Sequence, residues 1–127
     1  MTTSTDVLII GAEPELIDYS SPALPPGMNA EKVRAGLARG REKLAEAGIP
    51  ADLCLVDLGA TAEATIAKAL AAKSYRCVVI GAGIRTLPAH LLLFEKVINA
   101  VHRHAPGATI AFNTNPEDSA AAARRWL

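Results

Sequence analysis

The chain has 127 residues, half of them apolar, with 13 Lys plus Arg against 13 Asp plus Glu and a formal net charge of zero. That length and apolar content suit one domain, 1–127, with a core on two sides, and the balanced charge offers no field to nucleic acid or an anionic membrane, so neither is expected as a partner. No stretch approaches the roughly 20 apolar residues of a membrane span, and the opening MTTSTDVLII lacks a basic leader region and runs straight into a strand; a cytoplasmic location is expected.

Residues 6–11 (DVLIIG) form an unbroken apolar run, the pattern of a strand buried on both faces of a parallel sheet. The connection that follows, 12–28, is far longer than the roughly 2 to 6 residues usual in α/β units. Pro22, Pro25, Pro26 and Gly27 stiffen it, while Leu16, Ile17, Tyr19, Leu24 and Met28 give it apolar anchors. It reads as a packed flap, either a lid over a ligand or a cover for the sheet end or a partner subunit.

Asn29 caps a first helix running to about Ala47 and closed by Gly48 and Pro50. Val33, Leu37, Leu44 and Ala47 share its buried face, with Gly36 and Gly40 beside them to allow close packing. Its cations, among them Lys32 and Arg34, mix with Glu31, Glu42 and Glu46 and read as a solvated face. Residues 51–57 (ADLCLVD) are a second strand and 61–73 an alanine-rich helix carrying Ile66 and Leu70 on one side. Residues 77–80 (CVVI) repeat the pattern of a central strand. Gly81 and Gly83 follow, where the backbone turns tightly or comes close to a ligand. Pro88 then opens a third helix, 88–104, residues 108–112 form a fourth strand, and Asn115, Pro116, Glu117 and Asp118 cap a last helix.

Strands alternating with helices call for a parallel sheet covered on both faces. With the two most apolar strands at its centre, the expected fold is a three-layer α/β/α domain whose four-stranded sheet has the order 2-1-3-4, a flavodoxin-like layout. Right-handed crossovers place the first helix on one face and the second and third on the other. The last helix joins the first, with Trp126 or Leu127 packing near Val33, Leu37 or Leu44. Cys54 and Cys77 then lie two strands apart, about 9.5 Å, too far for a disulfide.

Families of this layout carry chemistry that can be checked by residue. A phosphorylation receiver needs an acidic pair after the first strand and an aspartate after the third, where this chain has Gly11-Ala12-Glu13 and Gly81-Ala82-Gly83. The Ser/Thr-rich loop of flavodoxins, the loop cysteine of sugar-transport IIB proteins and the Asp-x-His-x-x-Gly of cobalamin binders are all missing. The glycines at 81 and 83 lack the third glycine and the following acid of a dinucleotide fingerprint. No cofactor or metal is expected.

Ligands of open parallel sheets bind beyond the carboxyl ends of the strands, at the point where connections leave in opposite directions. Here that point receives Gly11, Ala12 and Glu13 from the first strand, Gly81, Gly83, Arg85 and Thr86 from the third, and Asn113 and Thr114 from the fourth. Arg85, the single cation, suits a clamp on a phosphate or carboxylate, or else pairs with Glu13 or a neighbouring carboxylate while the glycines serve the turn. His90 lies nearby, either as a neutral base or as a core residue beside Phe94, Val97 and Val101. In the third helix Leu91, Phe94, Val97, Ile98 and Val101 face the sheet. Leu92 and Leu93 are expected at the centre of a C2 homodimer interface. Three readings therefore stand open: a module binding a small anionic molecule, a homodimeric interaction module without ligand, and a small enzyme with His90 or Glu13 as base.

Overall fold

The two runs without a polar residue become the centre of the sheet. In the computed structural model, which describes residues 6–127, β1 (Val7–Ala12) and β3 (Cys77–Ile80) are buried along their whole length. They pair in parallel, with β2 (Ala51–Val56) on the outer side of β1 and β4 (Thr109–Phe112) on the outer side of β3, giving the order β2-β1-β3-β4. The opening residues 1–5, read above for a leader, lie outside the described residues.

Side chains alternate across this sheet, and two cores result. Leu8, Ile10, Val78 and Ile80 meet α2 (Ala62–Ala72) and a later helix, α4 (Leu91–His104), through Ile66, Leu70, Val97 and Val101. Val7, Ile9 and Val79 meet α1 (Ala30–Glu46) and α5 (Ser119–Arg124) through Leu37, Leu44, Ala120 and Ala123. Each fully buried Leu or Ile contributes about 1.5 to 3 kcal/mol of transfer free energy. Burial on both faces is thus what fixes β1 and β3 at the centre. The last helix joins the first, as the crossover rule requires.

Caps end the helices where the sequence provides them. Asn29 Oδ1 accepts the Lys32 N–H at 2.8 Å, and α1 stops where Gly48 takes a φ of +77° and the Ile49 N–H returns to the Leu44 carbonyl. At the start of α2 the Asp57 carboxylate accepts the N–H groups of Gly59 and Thr61. Those bonds hold its pKa below the ordinary carboxylate value. Each outer strand has one carbonyl taken by an arginine. Arg41 Nε donates to the Ala51 carbonyl of β2 at 2.7 Å, and Arg125 Nη2 to the Phe112 carbonyl of β4 at 3.1 Å.

Three expectations change. Trp126 does not anchor the last helix: α5 ends at Arg124, Trp126 is 58% exposed, and the contact with α1 is made by Ala120, Ala122 and Ala123. The glycines of α1 bring the start of this segment close, Gly36 against Pro116 and Gly40 against Ser119, and the small side chains of α5 then fill the remaining contact. In α4, Leu93 is buried and Leu91 is exposed, the reverse of their expected places. This helix packs against α2 as well as the sheet, so its buried arc centres on Val97 and takes in Leu93 and Ala100. Finally, the glycine corner is a short helical turn, α3 (Ala82–Arg85), and the third helix begins with a separate 3-10 turn at Pro88–His90. Ile84, fully buried, pins that turn to the core.

Candidate functional site

The carboxyl ends of β1 and β3 open into a cleft at the expected switch point. Its floor is Gly11, Ala12, Gly81, Ala82 and Gly83, with Val33 and Leu37 of α1 and Asn113 and Pro116 on the far side. It continues outward beneath the flap into a cavity of about 180 Å³, walled by Ile17, Tyr19, Leu24 and Met28 and rimmed by Thr86, Thr114 and Asn115. The flap therefore forms one wall of the cleft, as a lid would.

The glycines at the floor serve close packing. Neither Gly81 nor Gly83 has a positive φ. A Cβ on Gly81 would lie 3.2 Å from the Ile10 carbonyl oxygen, and one on Gly83 would lie 3.3 Å from Ile17 Cδ1. The corner thus sits tight against β1, and the flap's Ile17 rests upon it. Asn113, 1% exposed, locks the same corner: its Oδ1 accepts the Ala82 N–H at 2.7 Å and its Nδ2 donates to Ser119 Oγ at 2.9 Å.

Three of the expected site residues point elsewhere. Arg85 lies along the edge of β4, where Nη2 donates to the Asn113 carbonyl and the guanidinium stacks 5.3 Å from the centre of the Phe112 ring. It neither lines the cleft nor pairs with Glu13. Its Nε is buried without a hydrogen-bond partner among the described residues. Glu13 instead forms an ion pair with Arg34 of α1, which also reaches Glu15 at 3.4 Å. His90 is buried, with Nδ1 2.8 Å from the Gly83 carbonyl. A carbonyl only accepts, so Nδ1 carries the proton and the ring braces α3. Gly11, Gly81, Gly83, Thr86 and Asn113 are the expected residues that do come together at the cleft.

Other contributors were not read from the sequence as site residues. Val33, Ala82 and Pro116 line the cleft without polar chemistry to mark them. Tyr19 donates its hydroxyl to the Pro14 carbonyl at 2.7 Å. Burial, helped by the negative charge of Glu15, raises its pKa above the ordinary phenol value. Among the described residues no cluster of His, Cys, Asp and Glu is arranged to hold a metal ion, and no helix is long and apolar enough to cross a membrane. No protein-family model matches the chain, and no curated protein matches its sequence.

Proposed function

We propose that the chain is a binding module of flavodoxin-like layout, acting in the cytoplasm, that holds a small molecule at the carboxyl edge of its sheet beneath the flap. The observation that carries this reading is the cavity of about 180 Å³ between flap and corner, at the point where open parallel sheets take their ligands. With Arg85 turned onto β4, an anionic ligand loses the clamp expected for it. Lys32 lines a neighbouring groove that also holds Glu117. Thermal-shift screening of a metabolite panel tests the reading, with Ala23→Trp as the blocking variant, because Ala23 lines the cavity yet is exposed. Saturable stabilisation lost in Ala23→Trp supports it. Stabilisation unchanged by that variant moves the site elsewhere.

A homodimeric interaction module is the second reading, and Leu91 and Leu92, each 63% exposed at the start of α4, favour it. Leu93 drops out of that interface because it lies in the protomer's own core. Sedimentation of the native protein and of Leu92→Glu separates the cases: a native monomer at micromolar concentration, or a dimer indifferent to the new charge, removes this reading. The enzyme reading has less support, since His90 and Glu13 are engaged by Gly83 and Arg34 and neither lines the cleft.

A further inference from the structure

The hydroxyl groups around the cleft have already spent their donors on the protein itself, and of the two amides there only Asn115, at the rim, keeps its NH2 group without a bond among the described residues. The Tyr19 hydroxyl donates to the Pro14 carbonyl, Thr86 Oγ1 to the Ala82 carbonyl, and Thr114 Oγ1 to Asp118. Both ends of the Asn113 amide are engaged, and Asn115 Oδ1 accepts the Glu117 N–H at 2.9 Å. No charged side chain lines the cavity among the described residues. What remains facing the space is Ile17, Leu24, Met28, Val33 and two prolines.

A charged ligand entering this cleft would give up its water and gain no counter-charge, at a cost of several kcal/mol. A ligand with several polar groups would have to break bonds that the walls already make. Hydroxyl oxygens that have donated still keep free lone pairs, so one small neutral group such as a hydroxyl can be matched. The volume limits size as well: a cavity of about 150 Å³ lined by aliphatic and aromatic side chains admits benzene, and this one is slightly larger.

The flap also permits entry. Its start is tied to β2 by the Glu13 N–H to the Val56 carbonyl at 2.8 Å, but beyond Ile17 its backbone hydrogen bonds are local turns, Ser21 N–H to Asp18, Leu24 N–H to Ser21 and Met28 N–H to Pro25. The polar tethers from α1 are the bond from Lys32 Nζ to the Gly27 carbonyl and the pair of Arg34 with Glu13 and Glu15. With Glu13 and the buried Ile17 left in place, swinging residues 18–28 outward breaks side-chain contacts alone, the condition for a low-cost local opening.

Building on the module reading above, we infer that the ligand is an uncharged, predominantly apolar molecule of about one aromatic ring's size, carrying at most one small polar group. Amide-resolved NMR titration of the full chain with toluene, phenol and benzoate at neutral pH tests this. Toluene and phenol are expected to shift the amides of Ala82, Gly83 and the flap saturably, with benzoate weaker by at least about ten-fold. The shifts should vanish in Ala23→Trp while its thermal unfolding stays like that of the native chain. Benzoate binding as tightly as phenol at the same amides overturns the ligand class and leaves the binding site standing. Silence from all three probes also overturns the class, and the metabolite screen then decides the module reading separately.

Discussion

Gly36 lies in the middle of α1, where helix propensity and packing make opposite demands. Replacing a helix-interior glycine by alanine gains about 1 kcal/mol in propensity. A Cβ at this position, however, would stand 2.6 Å from Pro116 Cβ, with Glu117 Cγ at 3.3 Å, whereas carbon atoms rest at about 3.5 to 4.0 Å. About 1 Å of separation must therefore open between α1 and the turn at Pro116–Asp118. Pro116 cannot rotate away, because it is a ring held in a 3-10 turn whose capping box joins Asn115 and Asp118. Overpacking of this kind costs about 1 to 3 kcal/mol, so Gly36→Ala is expected to lose about 1 kcal/mol net. Gly40→Ala, 3.2 Å from Ser119 Cβ, should fall near zero. Urea unfolding followed by circular dichroism measures both, and Pro116→Gly supplies the double-mutant cycle, in which the loss should largely disappear. If Gly36→Ala stabilises the chain by the full propensity gain, the close approach of α1 to Pro116 is wrong.

Asn113→Ala should destabilise by about 2 kcal/mol, since it strands the Ala82 N–H and removes a partner of Ser119 in a buried site; a loss below about 0.5 kcal/mol in urea unfolding would contradict the corner lock. For acid sensitivity, Asp52 is pushed up by burial, but hydrogen bonds from Lys73 and Tyr75 outweigh this and set its pKa below the ordinary 3.8. Its stabilisation is therefore complete above the unfolded value and lost as pH falls through the lower folded value. Urea midpoints measured down the acid limb should fall less steeply in Asp52→Asn, and identical slopes would refute the assignment. Cys54 and Cys77 are free, lie in the two separate cores, and have pKa values raised by burial. A thiol reagent at neutral pH should label neither in the native state and both in urea; fast labelling without denaturant would contradict that burial.

Strand order and the distribution of helices between the two faces were legible because they follow from coarse signals. β1 and β3 are apolar without interruption, and handedness then fixes which face each crossover takes. The errors arise where one residue's direction depends on a neighbour that the pattern does not reveal. Leu91 and Leu93 differ in burial because α4 meets α2 as well as the sheet, and an alanine such as Ala100 gives little warning of that second contact. Trp126 looked like an anchor, yet α5 ends at Arg124 and meets the core through Ala120, Ala122 and Ala123. At the site, the floor was legible from glycines at strand ends. Arg85 was not, since an arginine after a corner can turn either into the cleft or onto the neighbouring strand, and Phe112 with the Asn113 carbonyl draws it to the latter. The apolar lining was hidden for a related reason: the Tyr19, Thr86 and Thr114 hydroxyls look available in sequence, and only their partners show that they are occupied.

We propose the space under the flap as a ligand site for a small apolar molecule. A crystal of the native protein equilibrated with bromobenzene tests it directly, because the anomalous signal of bromine locates the ring without interpretation of weak density. A peak is expected between Ile17, Leu24 and Met28 on one side and Ala82 and Gly83 on the other. An empty cleft, with bromine found only against the exposed Leu91 and Leu92, would contradict it.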